Sequence, residues 1–161
     1  ATLARLPIWT SMAKTIDDVK AHVKAYGAGV IGLIIVDYLQ LVRSPHHKGG
    51  ESRHAVEYVS QELREMANTI SPILCLSSLS RPPRDVKDYR PGMGDLRESG
   101  ELEHDADIIL LMRRDAGADS CELRVAKNRE GRVGVHTVLF DGPTLTFVDD
   151  AVVRWSGQEG E

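Results

Sequence analysis

The sequence predicts an α/β protein with a mostly parallel sheet, flanking helices and an antiparallel hairpin edge. Two observations lead to this prediction. Up to residue 112, short aliphatic runs alternate with segments of helical periodicity, an order typical of parallel strands connected by helices. Beyond residue 120, strand-like segments are separated by tight turns at 130–131 and 141–142, which predict hairpins. With 161 residues, the chain has the length of one domain.

The amino-terminal segments predict a strand, a helix and a second strand. Residues 6–9 form a short apolar stretch that predicts the first strand. Thr15 and Asp18 have the spacing of a capping box, and apolar residues then recur at helical spacing up to the glycines that follow. The continuous apolar run at residues 32–37 is typical of a strand that is covered on both faces.

The next elements follow the same alternation. After a predicted loop at 43–54, the spacing predicts an amphipathic helix with apolar positions toward the core and polar positions toward solvent. The predicted core positions are Val56, Val59, Leu63 and Met66, and the predicted solvent positions are Gln61, Glu62, Arg64 and Glu65. Apolar strands are predicted at 70–76 and 108–112, a Pro- and Gly-rich loop at 82–94, and hairpin strands at 121–127, 133–140 and 145–148.

Charge and composition narrow the class of protein. The net charge is −4 at pH 7, so contact with nucleic acid has to come from a local patch. No run approaches the ~18 apolar residues that a membrane span requires. Cys75 and Cys121 lie in apolar segments and are expected to be buried thiols in a reducing cytoplasm.

Asp37 closes the first long apolar run. In open α/β sheets, ligands bind at the carboxyl ends of the parallel strands. An acid after four aliphatic residues is the Walker B arrangement, in which the carboxylate holds Mg²⁺ directly or through water. A simple turn or helix cap is the alternative interpretation.

Two further segments carry charges that suit phosphate. Lys127 and Arg129 are two apart near the end of a strand, so their side chains project on the same side and could clamp a phosphate. A solvated hairpin end is the alternative. Asp95 and Glu98 are expected to cap a helix, but the free amides of that helix start, with Arg97 and Gly100, would also form a phosphate seat.

Five motifs in register resemble one family. They are Asp37-Tyr38-Leu39-Gln40, Leu76-Ser77-Ser78-Leu79-Ser80-Arg81, Asp95-Leu96-Arg97-Glu98-Ser99-Gly100, Glu103-His104-Asp105-Ala106-Asp107 and Ala126-Lys127-Asn128-Arg129-Glu130-Gly131. This succession resembles the carboxyl-terminal motor domain of the DnaB-type replicative DNA helicases, from about Pro7 to Phe147. The resemblance implies a RecA-like fold, a homo-hexameric ring around single-stranded DNA, ATP and Mg²⁺ as cofactors, and primase and a helicase loader as partners.

The resemblance also implies roles for individual residues. Asp37 matches the magnesium acid, and Gln40 in the same motif is expected to be structural or coupling. Lys127 and Arg129 match a lysine and an arginine finger that reach the neighbouring subunit's nucleotide. The residues that match the loop along the DNA phosphates are Arg97, Glu98 and Gly100.

The sequence departs from the family pattern in two places. Ser78 stands where the family usually has a glutamine that senses the γ-phosphate, which puts coupling between hydrolysis and movement in question. No G-x-x-x-x-G-K-[ST] loop occurs in the chain. We therefore expect residues 1–161 to be a single partial RecA-like domain, the distal part of a motor domain, with negligible ATP hydrolysis alone.

Two other classes of function stay open at this point. One is a recombinase or clock-type ATPase of the same superfamily. The other is a non-enzymatic module that docks on a ring or on DNA.

Overall fold

The computed structural model describes residues 6–27, 29–46, 53–82, 86, 88–96 and 100–148. The chain divides into two compact units, with the boundary between Ser78 and Leu79. The first unit contains α1 (Ile16–Tyr26), β1 (Ile34–Val36), a 3-10 turn (Leu39–Leu41), α2 (Arg53–Thr69) and β2 (Ile73–Cys75). The second contains a 3-10 turn (Met93–Asp95), α3 (Gly100–Asp105), β3 (Ile108–Arg113), β4 (Ser120–Asn128), β5 (Gly134–Asp141) and β6 (Thr146–Val148).

The predicted first strand at residues 6–9 is wrong. These residues belong to no strand among those described, and Leu6 and Ile8 are 54% and 62% exposed. Pro7 has no amide hydrogen to donate to a neighbouring strand. Trp9 of this segment instead contacts the helix α1, since its ring lies 5.0 Å from the ring of Tyr26.

The predicted capping box of α1 is confirmed. The Asp18 amide donates to Thr15 Oγ1 at 3.1 Å, and the Thr15 amide donates to Asp18 Oδ2 at 3.1 Å. At the other end, the Gly27 amide donates to the Lys24 carbonyl with a φ of 89°, a left-handed conformation that favours glycine. Ile16 is completely buried, so the box fixes the start of a helix whose first residue belongs to the core.

The two strands of the first unit pair in parallel, as predicted. Ile34 is opposite Ile73, Val36 is opposite Cys75, and the Leu76 amide donates to the Val36 carbonyl at 2.9 Å. The expectation that the β1 run is covered on both faces is wrong within the described residues. Val36 is buried, but Ile35 is 62% exposed, because successive side chains alternate and the helix α2 packs against this sheet on one side.

The amphipathic pattern of α2 is confirmed on its apolar face. The positions predicted for the core, Val56, Val59, Leu63 and Met66, are all buried, together with Ala55 and Ser60. Glu62, predicted to face solvent, does not: its half-buried carboxylate forms an ion pair with Lys20 of α1. Since α1 packs alongside α2, the Glu62 side chain lies at the contact between the two helices and pairs with Lys20 there.

The second unit is built on an antiparallel sheet in the order β3-β4-β5-β6. The three predicted hairpin strands are confirmed. The third apolar strand, predicted to be buried, is not buried throughout: Ile109 and Leu111 are buried, whereas Ile108, Leu110 and Met112 are about half exposed. This alternation is typical of an antiparallel strand with one face on the core.

The loop before α3 differs from the predicted helix cap. Asp95 ends a 3-10 turn and accepts a hydrogen bond from the Gly92 amide at 2.7 Å, so it does not cap α3, which begins at Gly100. Leu96 is extended and bridges to Leu79. Two hydrogen bonds lower the pKa of Asp95: the larger effect comes from the Tyr89 hydroxyl and the smaller from the Gly92 amide. Glu98, the other half of the expected cap, lies outside the described residues.

Both cysteines are free thiols, as predicted, but only Cys121 is fully buried, whereas Cys75 is half-buried. Burial raises the pKa of Cys75 to about 12, and burial also raises the pKa of Cys121. Within the described segments, no helix is both long and apolar enough to span a bilayer. The α/β class is confirmed, with parallel strands and helices in one unit and antiparallel hairpins in the other.

Candidate nucleotide and DNA site

Asp37 directly follows β1, at the carboxyl end of the parallel pair. The strand fixes its backbone through the pairing of Val36 with Cys75. The Asp37–Tyr38 peptide bond is cis, and the Asp37 side chain is exposed. Among the described residues, none forms a hydrogen bond or an ion pair with this carboxylate. The carboxylate is therefore available to an external cation.

Gln40 ties the ends of the two parallel strands together. Its Nε2 donates to Ser77 Oγ at 3.0 Å, and its Oε1 accepts from the Ser78 amide at 3.2 Å. The Leu39 amide adds a backbone bond to the Leu76 carbonyl at 2.8 Å. These contacts hold Ser78 at the same end of the sheet as Asp37, and the structural or coupling role expected for Gln40 stays a prediction.

These groups fit Mg²⁺ better than they fit a complete nucleotide. A carboxylate at the same sheet end as two serines offers hard oxygen ligands, and Mg²⁺ in proteins commonly keeps water on its remaining positions. The phosphates of a nucleotide are held chiefly by a glycine-rich loop with its lysine, and the 161 residues contain no such motif. The described residues at this sheet end therefore suit Mg²⁺ by their oxygen chemistry, and a glycine-rich phosphate loop is not among the motifs of the sequence.

Lys127 and Arg129 lie at the end of β4, with their side chains on the same side, as predicted. Lys127 Nζ donates to the Glu103 carbonyl and, at 3.4 Å, to the His104 carbonyl. Arg129 Nη2 also donates to the His104 carbonyl. Both cations therefore contact the carboxyl end of α3, where the helix dipole favours positive charge.

Arg129 is held by a second residue, Asp107. Its Nε lies 3.2 Å from Asp107 Oδ1, and its backbone amide donates to the Asp107 carbonyl at 3.0 Å. The pair is not buried, since the Arg129 and Asp107 side chains are 42% and 69% exposed. Sequence reasoning assigned Asp107 no role, because the two residues are far apart in the chain and no local spacing relates them.

The predicted DNA-binding residues are described only in part. Arg97 and Glu98 lie outside the described residues. Gly100 is the first residue of α3, and a Cβ added there would meet no further atom of the described residues within 4 Å. The described residues therefore do not require a glycine at this position.

Comparison with known proteins identifies the family. The family model described as "DnaB-like helicase C terminal domain" matches residues 2–149. A probable plasmid replicative DNA helicase of Chlamydia trachomatis is 41% identical over 119 residues, which are 73% of this chain and 26% of that protein. The replicative DNA helicase DnaC of Bacillus subtilis is 36% identical over 127 residues, 74% of this chain and 28% of that protein.

Solved structures give the same result. The chain is similar to a DnaB-like replicative helicase whose structure was solved with a study of its interactions with primase, with a TM-score of 0.75, 29% identity, and coverage of 88% of this chain and 37% of the other. It is also similar to a second solved structure, described as an ATPase domain, with a TM-score of 0.73, 29% identity, and coverage of 89% and 54%.

The family match and the solved structures establish the family and the fold of this chain. The chain spans about a quarter of the length of the curated relatives that it matches. The expected α/β RecA-like fold is confirmed by the likeness to both solved structures. The match covers every described residue, so the chain belongs to the DnaB-like helicase C-terminal domain family.

Proposed function

We propose that this chain is part of an ATP-dependent replicative DNA helicase that moves along single-stranded DNA in the cytoplasm as a homo-hexameric ring. One observation carries the proposal: the exposed Asp37 carboxylate, free of partners within the described residues, stands at the carboxyl ends of two parallel strands in a chain of the helicase family. A primase and a helicase loader are the proposed protein partners, and a solved relative is described with primase interactions.

Asp37 is the proposed magnesium acid of the site. Its carboxylate would hold Mg²⁺ through bound water, with Ser78 close by at the same sheet end. When bound, Mg²⁺ supplies positive charge that neutralises the oxygens of the transferred phosphoryl group. The Gln40 bonds to Ser77 and Ser78 keep the strand ends in place, so the acid does not have to be repositioned during the reaction.

Lys127 and Arg129 are proposed to act on the nucleotide of the adjacent subunit. Their side chains lie on one side of the β4 end, and the Arg129 side chain is 42% exposed. A lysine supplies a compact charge, whereas a guanidinium can donate to two phosphate oxygens at once. Together they would stabilise the negative charge of the phosphoryl group in the transition state.

The DNA contact is proposed at Arg97, Glu98 and Gly100. Gly100 carries no side chain, and no described residue beyond its neighbours would crowd a Cβ there, so a phosphate could come close to its backbone amide. Contacts to the phosphate backbone carry no sequence information, which is what a motor needs in order to move over any sequence.

The first experiment tests Asp37 in a ring-forming protein that includes this chain. Asp37→Asn should lower kcat for ATP hydrolysis by roughly 100-fold or more. The neutral asparagine amide would bind Mg²⁺ more weakly than the carboxylate does, so less positive charge would be held beside the phosphoryl group in the transition state. Phosphate release with saturating MgATP measures the effect. Glu65→Gln, an exposed change on α2 of the same unit, should leave kcat within about twofold.

Two outcomes bear on the proposal. If Asp37→Asn retained the unmodified rate, Asp37 would not be the magnesium acid. The 161 residues alone are expected to show negligible hydrolysis, because they contain no glycine-lysine phosphate loop. Magnesium-dependent turnover by this polypeptide, above a Lys127→Ala/Arg129→Ala control, would contradict that part of the proposal.

A further inference from the structure

Two carbonyls at the carboxyl end of α3, those of Glu103 and His104, accept hydrogen bonds from side chains. The last four carbonyls of a helix have no partner within the helix. In α3 the Ala106 amide donates to the Leu102 carbonyl at 3.2 Å, and Glu103 and His104 carry the next two carbonyls of this helix end. Side chains take both, since Lys127 and Arg129 donate to them. The two cations therefore complete the end of this helix.

Asp107 fixes the direction of the Arg129 guanidinium. The Nε group faces Asp107 Oδ1 at 3.2 Å, while Nη2 faces the His104 carbonyl. These two contacts, at Nε and at Nη2, restrain the plane of the guanidinium. Within the described residues, Nη1 has no partner, so one edge of the fork remains open to an external oxygen anion.

The exposure of the ion pair argues against a role in stability. Exposed pairs contribute little to folding, and the Asp107 and Arg129 side chains are 69% and 42% exposed. The same contacts still remove rotamers of a long side chain. In addition, the Asp107 carboxylate offsets the repulsion between two neighbouring cations, which would otherwise drive Lys127 and Arg129 apart. The contacts are therefore suited to orientation.

We propose that Asp107, with the Glu103 and His104 carbonyls, positions Lys127 and Arg129 so that one open edge of the guanidinium faces the phosphates of the adjacent subunit's nucleotide. Asp107 is a positioning residue that acts through Arg129 and does not touch the nucleotide. This inference rests on the proposed function, because it assumes that Arg129 acts in hydrolysis.

The test uses Asp107→Asn in the ring-forming protein. We expect kcat for ATP hydrolysis to fall roughly 10-fold, because a mispositioned group loses its effect on the transition state, while KM for MgATP changes less than about twofold. Asp107→Glu should restore at least half of the missing rate. In an Arg129→Ala background, Asp107→Asn should cause no further decrease, since the residue acts only through the guanidinium.

Asp115 provides a matched control. It is also 69% exposed and forms an ion pair with an arginine, with Asp115 Oδ1 at 2.8 Å from Arg113 Nη2 in the same unit. Asp115→Asn should leave kcat within about twofold. An equal decrease in the Asp115 and Asp107 variants would show a general effect of surface charge and would overturn the positioning role.

Two results separate this inference from the proposed function. If Arg129→Ala lowered kcat but Asp107→Asn did not, the positioning role would be overturned while the function stood. If Arg129→Ala left kcat unchanged, both would fail. Independently of activity, the Arg129 Nε–H signal in the NMR spectrum of this chain should shift and exchange faster with water in Asp107→Asn, and an unchanged signal would overturn the contact itself.

Discussion

At the start of α1, Thr15 and Asp18 each satisfy the other's backbone amide. Hydrogen bonds from the Thr15 side chain and then the Thr15 amide lower the pKa of Asp18 below its ordinary value of 3.8. The folded chain thus favours the charged carboxylate. Because the folded pKa lies below the unfolded one, the stabilisation is present above pH 3.8 and disappears as the pH falls through the folded pKa.

Asp18→Asn is therefore expected to destabilise the chain in a pH-dependent way. Its free energy of unfolding should be lower than that of the unmodified chain at pH 7, and the difference should shrink as the pH falls below about 3.8 and toward the folded pKa. Urea unfolding at several pH values measures it. Asp17→Asn, in the same first turn but outside the capping box, should show a smaller change. A difference that grew in acid would contradict this assignment.

Some single-residue features were predictable and others were not. The capping box was visible because its two members are three positions apart, and Asp37 because it ends an apolar run. Glu62 and Asp95 were assigned wrongly. Their partners, Lys20 and Tyr89, are side chains whose position no local period specifies, so only the fold reveals the contacts.

At the scale of elements, periodicity located helices better than it located burial. The core positions of α2 followed from helical spacing. The apolar run that contains β1 has the sequence pattern of a strand covered on both faces. A continuous run of apolar residues, however, does not reveal whether a helix covers one face of the strand or both. Residues 6–9 show a similar limit, since an apolar stretch can pack against a helix without joining a sheet.

The buried face of α2 is expected to dominate the stability of the first unit. Leu63 is 5% exposed and belongs to the apolar face of α2, a helix that packs against α1 and β2. Leu63→Ala should lower the free energy of unfolding by about 2–5 kcal/mol, because it removes buried methyl groups and leaves a cavity. Urea unfolding followed by circular dichroism measures the decrease.

Gln61→Ala supplies the comparison for that experiment. Gln61 is exposed on the same helix, so its change should stay within about 0.5 kcal/mol. Equal effects at the two positions would mean that the face of α2 assigned to the core is incorrect.

At the scale of the whole molecule, the fold class followed from the order of elements, and the site followed only in part. Asp37, Gln40 and Ser78 were predictable as neighbours because carboxyl ends of parallel strands meet. Lys127 and Arg129 were predictable as a pair. Their contacts with the end of α3 were not predictable, because these contacts join residues that lie far apart in the sequence and meet only in the folded unit.

The net charge of −4 makes the proposed DNA contact a local property of the ring. In the ring-forming protein, Arg97→Ala should weaken binding of single-stranded DNA about equally for all sequences. Removing one phosphate contact should lower the slope of log K against log salt by roughly 0.7. Fluorescence anisotropy with oligo-dT and a mixed sequence, over a range of salt concentrations, measures both effects. Arg124→Ala, an exposed change on β4, serves as the control for charge alone. An Arg97 variant with unchanged affinity and slope would place the DNA contact elsewhere in the ring.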